Sequence, residues 1–284
     1  MKTQAKYTAL ITGANSGIGL VLTRMLLERG WDVIALIRSS FQRDDSRVRE
    51  FQQQGRLRVY QGDLSDFTSL RQALDVIKSS EVRIDVLFNN AGGSFPELLF
   101  SKQGRELHFE TQTLAPYVIY TELLELLLAG DLKTVIGTSS AAINYVKRLN
   151  PEKLEHPDTF KKLLGPYADS KLAHSLWIKE AAPSAFAQGI RLQSVDPGPN
   201  NTMRPGNRSG LPFYVKPLMK LFFPGPEHGA SLLYEAAVSG SQYPPGSYLH
   251  KGKPVKLPFE DRGPAVLKLV KSVYEREFAG VEAK

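Results

Sequence analysis

Six short apolar runs, Tyr7 to Thr12, Asp32 to Arg38, Leu57 to Gly62, Ile84 to Asn89, Lys133 to Ser139 and Ile190 to Val195, alternate along the chain with segments of helical periodicity. That alternation predicts a parallel sheet covered by helices on both faces, because each parallel crossover needs a dozen or more residues and a helix fills it. The first helix shows the period: Ile18, Val21, Leu22, Met25 and Leu26 fall along one face, and Gly30 ends it. Further helices are expected at about Phe67 to Ile77, Gly104 to Leu128, Tyr167 to Gln188 and Glu227 to Val238. No internal repeat or low-complexity linker divides the 284 residues. The fold class is α/β, a doubly wound parallel sheet in a single domain spanning 1–284.

Two segments interrupt the alternation. Residues 142–166 are polar and carry Pro151, Pro157 and Pro166, so they read as an insertion between a strand end and the next helix. Residues 197–226, between the sixth strand and the following helix, are rich in Pro, Gly and Asn but include Leu211 to Tyr214 and Leu218 to Phe223. An apolar stretch inside a long irregular connection packs on the core, lies over a ligand or touches a membrane, and a substrate lid is the expectation taken forward. No apolar run approaches the roughly 20 residues of a membrane span. The polar lead-in Met1 to Lys6 leaves no room for a signal peptide, so a soluble, cytoplasmic protein is expected. Without cysteine there is no disulfide framework, thiolate nucleophile or sulfur-bound zinc. The net charge of +7 arises from 36 Lys and Arg against 29 Asp and Glu, scattered and mixed, and no basic block interleaved with aromatics argues for nucleic acid. The five histidines, at 108, 156, 174, 228 and 250, show no metal-ligand spacing and read as structural or surface residues.

The connection after the first strand constrains the ligand. Thr12-Gly13-Ala14-Asn15-Ser16-Gly17-Ile18-Gly19 joins a strand to a helix, its glycines permit a tight turn and close backbone approach, and the N–H groups opening the helix face an anion. The segment points to the pyrophosphate of a dinucleotide, and the sheet to a Rossmann fold. In open parallel sheets the ligand lies at the carboxyl ends of the strands, where this chain has Gly13, Arg38, Asp63, Asn89 to Gly93, Ser139-Ser140 and Asp196 to Gly198. An acidic residue ending the second strand would accept from a ribose 2'-hydroxyl and repel a 2'-phosphate. Here Ile37-Arg38-Ser39-Ser40 offers an arginine and no carboxylate before Asp44, so NADP(H) is expected rather than NAD(H).

Tyr167 and Lys171 are four residues apart on a predicted helix, hence on one face about a turn apart. An ammonium there is expected to favour phenolate and pull the tyrosine down from its usual value of about 10. Such a tyrosine gives a proton to a carbonyl oxygen, or takes one from an alcohol, as hydride moves to or from a nicotinamide.

Taken with Tyr167-Ala168-Asp169-Ser170-Lys171, the strand-end residues make the chain resemble the short-chain dehydrogenase/reductase family over roughly Tyr7 to Val238. By that resemblance Gly13, Asn15, Ser16, Gly17, Ile18 and Gly19 form the cofactor loop, Asp63-Leu64 lie near the adenine, and Asn90-Ala91-Gly92 match the motif ending the fourth strand. It further implies that Pro197-Gly198 with Thr202 meet the nicotinamide carboxamide, that Ser140 rather than Ser139 orients the substrate oxygen, and that Lys171 also holds the ribose hydroxyls. The stretches Ile84 to Gly92 and Tyr167 to Ala173, and Pro226-Glu227-His228-Gly229-Ala230, are similar to the retinol-dehydrogenase-like branch, many of whose members act on apolar carbonyls and alcohols. The family forms dimers and tetramers, so a homo-oligomer is one expectation, although the branch includes monomers.

One position departs from the family pattern. Where members carry an asparagine in the long fourth helix, as a catalytic residue whose free backbone carbonyl binds a water relaying protons to the lysine, this chain has Gln112. Pro116 stands four residues beyond it, lacks an N–H and pushes on the carbonyl four back, so the Gln112 carbonyl is expected to be unpaired and the relay preserved by another route. The alternative is a relaxed helix and a slower enzyme. The resulting expectation is an NADP(H)-dependent oxidoreductase interconverting a carbonyl and an alcohol on a mostly apolar small molecule. Reduction of an activated carbon–carbon double bond, and a non-catalytic NADP(H)-binding regulator, are the alternatives.

Overall fold

Strands that are apolar on both faces must be covered on both faces, and that requirement shapes the whole chain. The computed structural model describes residues 7–42, 45–200, 224–239 and 242–279. Strands β1 (Thr8–Thr12), β2 (Asp32–Ile37), β3 (Leu57–Gln61), β4 (Val86–Asn89), β5 (Thr134–Thr138), β6 (Arg191–Asp196) and β7 (Tyr248–His250) run parallel in the order β3-β2-β1-β4-β5-β6-β7. A short β8 (Lys253–Val255) ends the sheet antiparallel to β7. The direction of winding reverses between β1 and β4, which opens a crevice at the carboxyl ends of those two strands.

The pleat sorts side chains to two layers. Leu10, Ile34, Leu36, Leu87, Val135 and Leu192 face one core, against α3 (Phe67–Ser80), the segmented helices α4 (Leu107–Phe109), α5 (Ala115–Glu122) and α6 (Leu124–Leu128), and α7 (Pro166–Ala187). Ala9, Ile11, Val33, Ala35, Phe88, Ile136 and Val195 face the other, against α1 (Gly17–Glu28), α2 (Ser46–Gln53) and α8 (Pro226–Val238). The doubly wound sheet expected from the alternation is therefore present, with strand ends within a residue or two of the predicted ones. No helix among the described residues is long and apolar enough to cross a membrane.

Among the elements that the sequence pattern did not reveal, α2 is nearly all polar and β7 is short. Helix α2 buries only Val48 and starts at Asp45, whose side chain accepts from the Val48 N–H. Strand β7 has three residues and is held by register with β6 rather than by its own composition. Beyond it, α9 (Gly263–Val273) and a π turn at Tyr274–Ala279 pack Val266, Val270, Val273 and Phe278 onto the first core. The expected helix over Gly104 to Leu128 is not continuous, since π winding over Glu110–Leu114 separates α4 from α5. The insertion 142–166 contains two single 3-10 turns, Ala141–Tyr145 and Pro151–Lys153. Thr202 and the apolar residues between Leu211 and Phe223 lie outside the described residues.

Candidate active site

The cradle at the β1–β4 crevice begins with Gly13 at φ +68 and Gly17 at φ +52, backbone conformations that favour glycine. Gly19 is held to glycine by space: a methyl there would meet the Gly13 carbonyl oxygen at 2.3 Å and Asn90 Nδ2 at 2.6 Å. Thr12 braces this corner from β1. Its Oγ1 accepts from the N–H groups of Asn90 and Ala91, each at 2.9 Å, while Asn90 Nδ2 donates to the Thr12 carbonyl at 3.0 Å. Ser16 takes the N-cap position of α1 without a side-chain cap bond, leaving its hydroxyl at the helix N-terminus. The backbone here thus comes close enough, with N–H groups directed outward, to fit a pyrophosphate.

At the end of β2, Arg38 is exposed, with no ion pair among the described residues. Asn15 Nδ2 donates to the Ser39 carbonyl at 2.6 Å, so its side chain fixes the turn that carries Arg38. Asp63 accepts from the Ser65 N–H at 2.9 Å and its hydroxyl at 2.6 Å, which shapes the turn after β3. Pro197 and Gly198 follow β6, where Asp196 Oδ1 accepts from the Gly198 N–H at 3.0 Å. Asn200 Nδ2 donates to the Pro197 carbonyl at 2.8 Å, and its Oδ1 accepts from the Gly229 N–H of α8 at 3.1 Å. Asn200 and the pair Asp196–His250, 2.7 Å apart across β6 and β7, are site-shaping residues that sequence reasoning missed. Their link depends on strand register, which the local pattern does not encode.

Helix α7 starts at Pro166, and its first turns carry Tyr167 and Lys171 toward the ends of β5 and β6. The Ser140 side chain lies close enough to the Tyr167 phenol to favour its charged form. Ser140 is the N-cap of the turn Ala141–Tyr145, accepting from the Ala142 N–H at 3.2 Å. Ser139 turns inward instead, to Ser175 Oγ at 2.8 Å. Of the two hydroxyls, Ser140 is the one that meets Tyr167.

The expected acidification of Tyr167 is not what this geometry produces. Burial pushes the phenol above its ordinary value and the Asp196 carboxylate adds to the rise, while the Ser140 side chain pulls it down. Burial also pushes the Lys171 ammonium down to about 7. Its Nζ donates to the Thr138 carbonyl at 2.7 Å. A buried site penalises both charges, so a phenolate–ammonium pair is not the resting state; Tyr167 holds its proton.

The ring of Tyr167 is positioned by a neighbour the sequence reading set aside. His108 packs edge-on against it with centroids 5.8 Å apart, and Phe95 lies 4.6 Å from His108 on the other side. Phe95 N–H donates to His108 Nε2 at 2.9 Å, so the proton of this ring belongs on Nδ1, which faces Glu106 Oε1 at 2.6 Å. Gln112 is buried in the π turn, and its side chain clamps the backbone of Gly93: Nε2 donates to the carbonyl at 2.9 Å and Oε1 accepts from the N–H at 3.4 Å. A methyl at Gly92 would fall 2.6 Å from Gln112 Oε1.

The short chain dehydrogenase family model matches residues 7–150. The chain belongs to the short-chain dehydrogenase/reductase family. Within it, the chain falls in the retinol-dehydrogenase-like branch. It is 31% identical over 252 residues to the human dehydrogenase/reductase SDR family member 13, covering 85% of this chain and 65% of that protein, so it spans less than two thirds of that relative's length. It is 30% identical over 242 residues to human retinol dehydrogenase 14, covering 78% of this chain and 71% of that one. The fold is shared with L-sorbose reductase from Gluconobacter frateurii, solved with NADPH and L-sorbose, at a TM-score of 0.65 and 19% identity over 89% of this chain and 98% of that one.

Proposed function

We propose that this dehydrogenase/reductase uses NADP(H) to interconvert a carbonyl and an alcohol on a mostly apolar small molecule, with Tyr167 as the acid and base. The observation that carries the reading is the placement of the buried Tyr167 phenol beside Ser140, on the helix that also brings the Lys171 amine to the Thr138 carbonyl at the end of β5. Bound NADPH supplies the hydride. Ser140 orients the substrate oxygen by a hydrogen bond, Tyr167 donates the proton to that oxygen, and Lys171 returns a proton to Tyr167.

The cofactor choice rests on Arg38, whose exposed guanidinium at the end of β2 suits a 2'-phosphate and has no competing carboxylate in an ion pair among the described residues. Gly13, Ser16, Gly17, Ile18 and Gly19 would hold the pyrophosphate, Asp63 and Leu64 would flank the adenine, and Asn90, Ala91, Gly92, Pro197 and Gly198 would border the nicotinamide. Apolarity of the substrate is supported by the ring of Phe95 beside His108 and Tyr167. Pro116 cannot close a bond onto the Gln112 carbonyl, and the π winding there supports a water-binding role for that carbonyl.

A panel of apolar aldehydes, ketones and enones incubated with NADPH or NADH tests the reading by product analysis. Formation of alcohols with preference for NADPH is the expected result. Saturated carbonyl products would favour double-bond reduction, and binding of NADPH with no product from any member would favour a non-catalytic role.

A further inference from the structure

Beside an apolar row on one face of the central sheet lies a polar one. Asn89, Gly137, Ser194 and Tyr248 are register partners across β4, β5, β6 and β7, two residues beyond the row of Leu87, Val135 and Leu192, and so face the same core. His174 of α7 lies over the row at Gly137, where a methyl would fall 2.2 Å from His174 Nε2. Asn89, His174, Ser194 and Tyr248 are 3%, 1%, 0% and 2% exposed. Asn89 Oδ1, both ring nitrogens of His174, Ser194 Oγ and the Tyr248 hydroxyl have no hydrogen-bond partner among the described residues.

A buried polar group without a partner costs roughly 1–3 kcal/mol. Several such groups side by side supply the two to four partners that a buried water needs. The placement is what gives the row a role. His174 follows Lys171 by three residues and Tyr167 by seven, so the three side chains form one stripe along α7. Lys171 is close enough for its charge to oppose protonation of the imidazole, and burial opposes it further, so the ring is neutral. At the other end, Asn89 Nδ2 reaches the Pro116 carbonyl at 3.4 Å, beside the π turn. The charged group whose field reaches the ring is Lys171 on its own helix; Tyr248, farther along the row, is acted on by Asp196 from the end of β6.

We propose that His174 is a proton-relay residue for Lys171, acting through ordered water shared with Asn89 and Ser194. This rests on the reading of Tyr167 as the proton donor. After Lys171 has passed a proton to the Tyr167 phenolate, one nitrogen of the neutral ring releases its proton through a bridging water to the Lys171 amine. The other nitrogen takes a proton from water on the Asn89 and Ser194 side, and that water is reprotonated from solvent. The ring ends as the opposite tautomer, and a half-turn about its Cβ–Cγ bond restores the starting arrangement before the next turnover; it carries no net charge at any stage, which suits a site where burial disfavours imidazolium.

The test uses the full chain with NADPH, an aldehyde from the panel, and the variants His174→Leu, His174→Asn and Ser194→Ala. In His174→Leu, kcat should fall about ten-fold or more and the solvent deuterium isotope effect should rise. The primary effect from deuterated NADPH should shrink, and NADPH affinity should stay as in the wild type. Ser194→Ala should show a smaller change in the same direction. His174→Asn, which keeps a donor and an acceptor, should recover part of kcat and also serves if the leucine variant does not fold. A folded His174 variant with wild-type kcat and isotope effects overturns the proposal. Nitrogen NMR of the free protein gives an answer without turnover: interconverting neutral tautomers in contact with long-lived internal water are expected, and one fixed tautomer without such water contradicts the relay. Failure of the reading beneath it would look different, as full turnover in Tyr167→Phe.

Discussion

At the scale of single residues, the account turns on charges that the fold makes costly. Lys171 has its ammonium pushed down to about 7 by burial, against 10.5 in an unfolded chain. Between those values the unfolded chain binds more protons, so this group makes the protein more stable as pH rises from 7 toward 10.5 and costs stability below 7. Lys171→Met should therefore raise the melting temperature at pH 6 by more than at pH 9 while abolishing turnover; equal shifts at both pH values would contradict the buried cation. Arg38 is the opposite case, an exposed charge free to meet a ligand. Arg38→Asp should lower the NADPH-over-NADH ratio of kcat/KM by roughly ten- to a hundred-fold, since charge-assisted hydrogen bonds are worth about 1.5–3 kcal/mol and tenfold is 1.4 kcal/mol. An unchanged ratio would remove Arg38 from the cofactor site.

At the scale of elements, the turn between β1 and α1 and the interrupted helix between α4 and α5 carry the site. A methyl at Gly19 meets backbone at 2.3 Å, and backbone cannot move aside as a side chain can. Gly19→Ala should cost about 1–3 kcal/mol of stability in urea unfolding and weaken NADPH binding with it. These two elements differ in how far the sequence revealed them. Gly13, Gly17 and Gly19 announce their turn by residue type, because few other residues tolerate such φ values or such contact. Pro116 announced a fault in its helix, because a missing N–H is visible in the sequence. The clamp of Gln112 on Gly93, by contrast, follows from how two distant segments meet, and nothing at either position signals it. The same holds for His108 against Tyr167 and for Asp196 with His250, partners separated by register and crossover rather than by spacing. Ser140 was legible only through the family pattern, and its contact with Tyr167 depends on the 3-10 turn that follows β5.

For the whole molecule, the two core layers could be read from the apolar strands, but the way the C-terminal part closes the fold could not. Arg105, just before α4, is buried between Glu110 and Glu277, and thereby ties the π turn at Tyr274–Ala279 to the π winding beside the site. Burial of Arg105 and Glu110 makes removal of one costly, so Arg105→Ala should lose about 3–5 kcal/mol in urea unfolding, and a loss below about 1 kcal/mol would show that the C-terminal segment docks without it. That docking holds α4 and His108 in place behind Tyr167, so the global fold and the proton donor are coupled. The most direct test of the central claim is NADPH consumption with a reducible apolar aldehyde, measured alongside NADPH binding, in the wild type and in Tyr167→Phe. The account predicts that the variant binds NADPH as the wild type does and turns over roughly 10²–10⁴ times more slowly. Equal turnover in the two proteins would contradict it.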